Sequence, residues 1–335
     1  MNGTPFKLAT FAATGGGNFP AIVLGEDVIG IAAAYRAYRD SPARKAGALG
    51  ATTGLWELLQ DWDANFPVLQ EMVALIGKEG VKSDRFKGAT AKFADLRPLA
   101  PVLRPGKILN AAQNFQEHVD EMIRAGMSPQ GKVFTGEKST SHPYLFLKAG
   151  TCLAGAYDDI AIPQGMSKID WESELCFAIG RKGKRIKAER ALDHIAGFLT
   201  GNDVSCRDLQ IRPDRPGLRS DWFGGKCFDN FAPMGPYLVP RAFVPNHMKL
   251  KIQLFVNGEV KQNGSTSQFI YTPEEQIEFI TAILRVEPGD LFFGGTCGGV
   301  GQGANTFLKV GDVMETEVES LGRMKNRFVA ETLEA

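Results

Sequence analysis

Acidic and apolar residues alternate through segment 169–180, and this pattern constrains the fold more than any other stretch. Because strand side chains point to opposite faces in turn, a strand here would carry large apolar groups on one face. Its other face would hold Glu172 and Glu174 side by side, followed by the small residues Cys176 and Ala178. Two unit charges about 4 Å apart repel by roughly 4 kcal/mol at an effective dielectric near 20. An enclosed face requires a cation or a shifted pKa, whereas adjacent glutamates on a solvent-exposed strand are harmless.

The size and charge balance of the chain narrow the classes of function. Its 335 residues, 44% of them hydrophobic, suffice for one large core or for a main domain with a smaller partner. Lys plus Arg and Asp plus Glu both number 38, which gives no electrostatic argument for nucleic acid or an anionic membrane surface. No apolar run approaches the roughly 20 residues of a transmembrane helix. The first residues lack a basic-then-apolar secretion signal, so a cytoplasmic location is expected.

The cysteines favour a reducing compartment. They are odd in number, lie far apart and contain no CxxC pair, which argues against a disulfide framework and a structural zinc site. They are Cys152, Cys176, Cys206, Cys227 and Cys297. Reduced thiols are the simpler interpretation.

Residues 1–100 are predicted to form a small N-terminal α+β domain. Short apolar strands come first, and helical patterns follow over 29–39 and 56–76. Three prolines, Pro98, Pro101 and Pro105, indicate the boundary at the end of this domain.

Residues 101–335 are predicted to form the catalytic domain. Apolar strand patterns with Gly and Pro turns dominate this part. Helices are expected over 188–195 and 273–284, the second starting at Thr272-Pro273. The chain as a whole therefore predicts a sheet-dominated α+β fold.

A histidine and a glutamate lie one helical turn apart. Asn114 followed by Glu117 is a capping-box-like helix start, and Gly126 is the expected end. His118 and Glu121 are then spaced i, i+3 and share one face of the helix. A carboxylate beside an imidazole orients the ring and raises its basicity, as a general base requires. An ordinary pair on the surface of a helix is the alternative.

Several further motifs follow one another along the chain. They are Asn114-Phe115, His118 with Glu121, Phe146-Leu147-Lys148, Glu172-Ser173-Glu174-Leu175, the segment from Gly201 to Gln210, Gly225-Lys226-Cys227-Phe228-Asp229, Ala232-Pro233-Met234-Gly235-Pro236, Pro288-Gly289-Asp290 and the segment from Gly295 to Gly301. With these motifs in this order, the chain resembles the fumarylacetoacetate hydrolase family from Arg97 to Phe328. The resemblance implies the family's C-terminal fold, a mixed β-sandwich or roll, behind the small N-terminal domain.

The resemblance implies a divalent-metal site. In related enzymes the two glutamates of an ExE strand and the aspartate of an NDxS segment bind Mg²⁺ or Mn²⁺, and these positions match Glu172, Glu174 and Asp203. The chemistry agrees, because three carboxylates without histidine or thiolate suit Mg²⁺, Mn²⁺ or Ca²⁺ rather than zinc. Three ligands also leave positions open for water and a chelating substrate.

The resemblance also implies roles for other side chains. His118 and Glu121 match the family's pair on a lid-like helix, where they would activate water. Lys226 matches a catalytic lysine that, with Gln210, would hold a carboxylate or oxyanion of the substrate, and Thr296 would donate a further hydrogen bond. The expected substrate-binding residues are Asn114, Phe115, Gln210 and Thr296.

By the same resemblance, the expected activity is metal-dependent hydrolysis of a carbon–carbon bond in a 1,3-diketone or acylpyruvate-like diketo acid. Such a substrate chelates the cation through two oxygens and leaves as an enolate held at the metal. Decarboxylation, isomerisation or hydration of a small 2-keto acid is the alternative, because these reactions use the same ligands. A metal-binding protein without turnover is the third interpretation. A homodimer is expected because family members commonly form dimers or higher assemblies.

The chain departs from the family pattern at three cysteines and in one variable segment. Cys206 and Cys227 stand where relatives have Ala and Ser, and Cys297 replaces the proline of a TGTP turn. Segment 211–222 is expected to help define the pocket. Its arginines are Arg212, Arg215 and Arg219.

Segment 299–304 fits the dinucleotide pattern GxGxxA, but NAD binding is not expected. Segment 305–316 has the pattern of strand, turn and strand rather than of a helix, and too little chain follows for a doubly wound sheet. The glycine-rich turn is instead expected to bring main chain close to the substrate.

Overall fold

The structure is a computed structural model that describes residues 3–42, 44–124, 137–215, 217–218 and 220–332. Gly126, the expected end of the histidine helix, and Arg219 of the variable segment lie outside these ranges. Within them, no helix has both the length and the apolar character needed to cross a membrane.

Strands dominate the architecture. The strands before the histidine helix are β1 (Lys7–Ala12), β2 (Asn18–Leu24), β3 (Asp27–Gly30), β4 (Thr90–Lys92) and β5 (Ile108–Ala112). The middle strands are β6 (Tyr144–Lys148), β7 (Leu153–Gly155), β8 (Ile160–Ile162), β9 (Ile169–Asp170), β10 (Ser173–Ile179), β11 (Ile195–Asn202) and β12 (Ser205–Cys206). The last strands are β13 (Ala232–Pro240), β14 (Lys251–Val256), β15 (Glu259–Ser265), β16 (Leu291–Thr296), β17 (Val313–Val318) and β18 (Gly322–Ala330).

Helices lie mainly in the N-terminal part and in the connections. They are α1 (Ile31–Arg39), α2 (Leu55–Leu59), α3 (Trp62–Glu79), α4 (Gln116–Arg124), α5 (Ala188–Ala191), α6 (Arg207–Gln210), α7 (Trp222–Lys226), α8 (Pro273–Ile283) and α9 (Gly301–Ala304). Helix α8 begins as its sequence predicts, because Thr272 and Glu275 cap each other's main-chain N–H groups.

The largest sheet draws strands from both parts of the chain. Its order is β4-β3-β2-β1-β13-β11-β10-β16-β5-β6, with β7 alongside β13. Strand β1 pairs antiparallel with β13, with Leu8 opposite Leu238, so the N-terminal strands extend the sheet of the C-terminal part. The division into domains at residue 100 stays a prediction.

Strand β10 lies at the centre of the molecule with both faces covered. Its Leu175 and Phe177 pack toward a second sheet of order β15-β14-β17-β18-β8, in one apolar cluster with Ile252 of β14. Its Cys176 belongs to the opposite cluster, which includes Leu69 of α3. Burying each apolar side chain of this kind contributes about 1.5–3 kcal/mol to the free energy of folding. Layers on both sides therefore hold this strand rigidly in place.

The sequence-based fold class is confirmed: the molecule is a sheet-rich α+β protein. Two helix predictions require correction. Segment 56–76 forms α2 and α3 rather than one helix, because Asp61 has non-helical backbone angles (φ −137°, ψ 59°) between them. Segment 188–195 holds only the short α5, which tightens into a 3₁₀ turn over Leu192–His194 before β11 begins.

Candidate active site

The three predicted metal ligands meet where β10 and β11 pair. Ser173 at the start of β10 lies opposite Asn202 at the end of β11. Glu172 precedes β10 and Asp203 follows β11, and the Asp203 N–H donates to the Glu172 carbonyl at 2.9 Å. One carboxylate oxygen each from Glu172, Glu174 and Asp203 lies within 4.8 Å of the others.

Glu172 lies outside the continuous strand that the alternating pattern predicts. The strand is interrupted between β9 and β10, because the Trp171 N–H donates to the Asp170 side chain and the Glu172 N–H to that of Asn202. The carboxylates converge all the same, and they are enclosed. Glu172, Glu174 and Asp203 have relative exposures of 7%, 0% and 1%, which excludes the solvent-exposed alternative.

Two buried lysines compensate the negative charge of Asp203. Lys226 Nζ donates to Asp203 Oδ2 at 2.7 Å and to Glu172 Oε2 at 2.9 Å. Lys148 Nζ donates to Asp203 Oδ1 at 2.6 Å and to two main-chain carbonyls at 2.6 and 3.1 Å. An ammonium group carries three N–H donors. Lys148 therefore uses all of its donors within the fold, whereas Lys226 keeps one beyond its contacts with the described residues, available to a substrate oxygen.

Arg207 joins Glu172 to the glycine-rich turn. Its Nη2 donates to Glu172 Oε1 at 2.6 Å, and its Nε donates to Asp170 Oδ2 at 2.8 Å. Asp170 in turn accepts the main-chain N–H of Gly301 at 2.6 Å and that of Gln302 at 3.0 Å. The turn is thus fixed relative to one of the candidate metal ligands.

The charges around Glu172 keep it ionised. Burial would raise the pKa of Glu172, but the neighbouring Lys226 and Arg207 outweigh burial, and with His118 they lower this pKa to about 2. A carboxylate that stays ionised at neutral pH is the form that binds a cation.

Glu174 has the opposite environment. Its Oε2 accepts the Gly295 N–H at 2.6 Å, and its Oε1 is buried with no hydrogen-bond partner among the described residues. Burial, and then the charges of Asp203 and Glu172, raise the pKa of Glu174 well above its ordinary value. The triad therefore contains a carboxylate whose charge is uncompensated.

The residues present fit a divalent cation. Acidic side chains outnumber basic ones in this buried cluster, with Asp170, Glu172, Glu174 and Asp203 facing Lys148, Lys226 and Arg207. The excess is one negative charge, which a divalent cation held by the triad would more than offset, and Glu174 Oε1 is a carboxylate oxygen with no other partner among the described residues. Carboxylate oxygens are ligands that hard cations prefer. Glu172, Glu174 and Asp203 can therefore hold a divalent metal.

His118 and Glu121 lie beside the triad on α4. His118 is 7% exposed, and it is near enough to Glu172 to help lower the pKa of that carboxyl. His118 Nδ1 is 3.6 Å from Glu121 Oε2, which is longer than a hydrogen bond. The Gly299 N–H holds the Glu121 carboxylate, at 3.1 and 3.3 Å from its two oxygens. Burial excludes the alternative of an ordinary surface pair.

Asn114 does not form the capping box that the sequence predicts. Its amide nitrogen donates to the carbonyls of Tyr271 and Gly294, and its amide oxygen accepts the Tyr271 N–H. These contacts with distant strands and loops fix the start of α4 instead. The next residue, Phe115, is fully buried and packs edge-on against Phe269, with ring centroids 4.7 Å apart. Substrate contact by Asn114 and Phe115 stays a prediction.

Gln210 and Thr296 lie in the same region, and they differ in which of their hydrogen-bonding groups are already used within the fold. Gln210 accepts from Arg207 through its Oε1 at 2.9 Å, and its amide NH₂ donates to none of the described residues. The Thr296 hydroxyl donates to the Ser173 carbonyl at 3.0 Å and accepts from Gln262 at 2.8 Å. A hydroxyl has one proton, so Thr296 would have to release Ser173 before it could donate to a substrate. Both substrate roles stay predictions.

The variable segment 211–222 ends at Trp222, which packs against other aromatic side chains. Trp222 stacks on Phe146, with ring centroids 4.7 Å apart, and Lys226 Nζ lies 5.5 Å from the Phe146 ring. Arg212 is already paired with Asp214 at 2.7 Å and Asp221 at 3.0 Å. Its charge is therefore compensated within the segment.

Sequence reasoning assigned no role to three residues that organise the site: Asp170, Lys148 and Arg207. Asp170 lies in the alternating segment 169–180, and the other two lie inside the motifs that carry the family resemblance. A signal was present, because three carboxylates in one enclosed place require basic partners nearby. The sequence alone does not tell which of the chain's many basic residues supply them.

The chain is similar in sequence and in fold to several known proteins. A family profile described as Fumarylacetoacetate (FAA) hydrolase C-terminal matches residues 107–329. The human protein named oxaloacetate tautomerase FAHD2A, mitochondrial, is 38% identical over 233 residues, 69% of each chain. The crystal structure of a probable 2-hydroxyhepta-2,4-diene-1,7-dioate isomerase from Mycobacterium abscessus has the same fold, with a TM-score of 0.72 and 23% identity over 98% of this chain and all of that one. The fumarylacetoacetate hydrolase of Exiguobacterium antarcticum gives a TM-score of 0.69 and 26% identity over 97% of this chain and all of that one.

Proposed function

The chain belongs to the fumarylacetoacetate hydrolase family, and from this premise we propose that it interconverts the keto and enol forms of a small 2-oxo acid such as oxaloacetate. The proposal takes the isomerase alternative of the sequence analysis as the leading function. It is favoured by the naming of relatives at 35–38% identity as oxaloacetate tautomerases.

One observation carries the proposal. A buried histidine, His118, stands next to a carboxylate triad that can hold a cation, on a helix whose Glu121 is fixed by the Gly299 N–H. Tautomerisation requires a proton acceptor close to a carbon whose neighbouring carbonyl is polarised. A histidine beside a triad that can hold a cation would meet both requirements.

Each side chain has a defined task in this scheme. His118 accepts the proton from the carbon next to the carbonyl, and the C–H electron pair forms the carbon–carbon double bond of the enol. The His118 imidazolium then gives a proton to the carbonyl oxygen, directly or through water, so that one C–H bond is exchanged for one O–H bond and the imidazole is neutral again. Glu121 stabilises the charge that His118 acquires. Mg²⁺ or Mn²⁺ at Glu172, Glu174 and Asp203 would supply Lewis-acid stabilisation of negative charge on the substrate oxygens.

Lys226 and Gln210 bind rather than transfer protons. Salt bridges to Asp203 and Glu172 outweigh the effect of burial and raise the pKa of Lys226, so its ammonium group keeps its protons. Its remaining N–H donates to a substrate oxygen. The Gln210 NH₂ group can bind a carboxylate of the substrate, since the Gln210 carbonyl is already occupied by Arg207.

Hydrolysis of a carbon–carbon bond is the second candidate, and the same pair of residues favours it. A buried imidazole beside a carboxylate can take a proton from water as well as from carbon. A 1,3-diketone or acylpyruvate-like acid would then be cleaved, with the leaving carbon stabilised as an enolate. Decarboxylation of oxaloacetate remains a third reaction at the same residues.

Product analysis separates the three reactions. Tautomerisation changes the enol absorbance of oxaloacetate and releases no pyruvate. Decarboxylation releases pyruvate and carbon dioxide from oxaloacetate, and hydrolysis releases pyruvate and acetate from acetylpyruvate. We expect a rapid absorbance change without pyruvate. Pyruvate formation from acetylpyruvate at a higher kcat/KM than the tautomerisation would reject the tautomerase in favour of the hydrolase.

The remaining expectations accompany this proposal. The substrate is a small acidic metabolite, and the enzyme acts as a homodimer in the cytoplasm. Light scattering of the purified protein tests the assembly, and a monomer at working concentration would remove the homodimer from the account.

A further inference from the structure

Three aromatic side chains form a continuous row that begins at an active-site lysine. Lys226 Nζ lies 5.5 Å from the ring of Phe146, and the Trp222 indole stacks on that ring with centroids 4.7 Å apart. The Tyr144 ring follows, with its centroid 5.4 Å from that of Trp222. Tyr144 and Phe146 are two residues apart in β6 and therefore share one face of the strand. The side chains of Tyr144, Phe146 and Trp222 are called the aromatic wall below.

The aromatic wall leads from the buried site to the surface. Phe146, beside the lysine, is 9% exposed, Trp222 is partly exposed, and Tyr144 at the far end is 53% exposed. Lys226 keeps one N–H beyond its bonds to Asp203 and Glu172, and this donor is at the buried end of the wall. A substrate oxygen bound by this N–H therefore brings the rest of the substrate against aromatic surface.

The charges next to the aromatic wall are already paired with one another. Arg212 pairs with Asp214 and Asp221, and the Arg215 Nε lies 3.8 Å from Asp214. Among the described residues of segment 211–222, two arginines thus face two aspartates, and no positive charge is left over for a second carboxylate of the substrate. A dicarboxylate placed along the wall would lose hydration without gaining a charge partner, which is unfavourable.

We propose that the aromatic wall binds a planar apolar substituent on the third carbon of the substrate, so that the enzyme prefers an arylpyruvate to a dicarboxylate such as oxaloacetate. The assignment rests on the proposed function, and it specifies the class of 2-oxo acid. The oxygens of the substrate bind at the lysine end, and its ring packs on the wall at the centroid separations of about 4.5–7 Å that aromatic pairs favour. This contact is expected to favour phenylpyruvate over oxaloacetate by about 10- to 100-fold in kcat/KM.

Turnover of the two substrates tests the preference. The enol absorbance is followed for phenylpyruvate and for oxaloacetate, and the ratio of the two kcat/KM values is compared between variants. Trp222→Ala should lower this ratio by about tenfold or more. Tyr144→Ala, at an exposed position where a substitution has little effect on folding, should lower it less. Phe223→Ala, which removes the exposed ring of the next residue, should keep the wild-type ratio.

Binding of unreactive analogues separates this proposal from the reaction itself. Phenyllactate and malate carry a hydroxyl group in place of the carbonyl, so neither can form an enol. Calorimetry with Mg²⁺ present should find phenyllactate bound more tightly than malate by the wild type, and the difference should disappear in Trp222→Ala. This binding result without tautomerisation of either 2-oxo acid would reject the proposed function and keep the aromatic wall as a binding surface. Tautomerisation of oxaloacetate with no preference for phenylpyruvate would do the reverse.

Three results overturn the proposal. The first is a substrate ratio that is the same in the wild type, Trp222→Ala and Tyr144→Ala. The second is an equal loss of the ratio in Phe223→Ala, which would indicate a general disturbance of α7. The third is a second copy of the chain as the occupant of the wall, in which case Trp222→Ala and Tyr144→Ala would change from dimer to monomer in light scattering while the ratio stayed constant.

Discussion

Replacing Lys148 with methionine is expected to destabilise the protein more than replacing Lys226, although both lysines donate to Asp203. In Lys148→Met, Asp203 loses one of its two charge partners, and two buried carbonyls lose their donor. Asp203 keeps Lys226 in this variant, but each unsatisfied buried carbonyl adds about 1–3 kcal/mol, so we expect about 3–5 kcal/mol in all. In Lys226→Met, each carboxylate keeps a second cation, Lys148 on Asp203 and Arg207 on Glu172, so we expect about 1–3 kcal/mol.

The two free energies translate into different melting temperatures. With an unfolding entropy of about 2.1 cal/mol/K per residue, the 335 residues give roughly 0.7 kcal/mol/K. Lys148→Met should then melt roughly 4–7 °C below the wild type and Lys226→Met roughly 1–4 °C below. Thermal unfolding followed by circular dichroism, in chelator, measures both variants in the same metal-free form.

Turnover should rank the two variants in the opposite order. Lys226 is the lysine with a donor left for substrate, and a hydrogen bond to a charged group is worth about 1.5–3 kcal/mol, or roughly 10- to 100-fold in kcat/KM. Lys148→Met should retain most of its kcat/KM at temperatures where it is folded. The reasoning is refuted if Lys226→Met proves the less stable variant, or if Lys148→Met melts with the wild type.

Three further outcomes follow from the site. Burial and two neighbouring carboxylates raise the folded-state pKa of Glu174, so its stabilising contribution is complete below its unfolded pKa of about 4.3 and is lost as pH rises through the folded pKa. In chelator, Glu174→Gln should therefore melt above the wild type at alkaline pH, and the difference in melting temperature should vanish in acid. A constant difference at all pH values would contradict this sign. His118→Asn should lower kcat by about 10²- to 10⁴-fold while Mn²⁺ binding is unchanged, and wild-type kcat would remove His118 as the base. Glu121→Gln keeps an acceptor for the Gly299 N–H but not the charge, so kcat should fall with little change in melting temperature, whereas Glu121→Ala should lower both.

The sequence predicted the acidic half of the site better than its basic half. Glu172, Glu174 and Asp203 stand in short motifs at the ends of two strands that are neighbours in the sheet, so their convergence depends on a single pairing. Lys148 reaches the same place from another strand, β6, which is separated from β10 by β16 and β5. No local pattern indicates that its side chain crosses to Asp203.

Local patterns failed where distant contacts compete with them. Thr272 caps α8 as predicted, because its partner Glu275 is in the same helix turn and accepts the Thr272 N–H even though Lys138 binds the same carboxylate. Asn114 satisfies the same kind of pattern, yet it bonds the main chain of Tyr271 and Gly294, which are far away in sequence. A buried amide with three main-chain partners gains more than a cap provides, and only the assembled fold supplies those partners.

Calorimetric titration of Mn²⁺ and Mg²⁺ into metal-stripped protein tests the central claim, that Glu172, Glu174 and Asp203 together bind a divalent cation. We expect a single ion per chain, at least about tenfold weaker binding in Glu174→Gln, and a melting temperature that rises with metal concentration in the wild type. The matched variant Glu117→Gln, on the same helix as His118 but outside the triad, should bind like the wild type. No uptake of either ion by the wild type, or equal uptake by Glu174→Gln, would contradict the account.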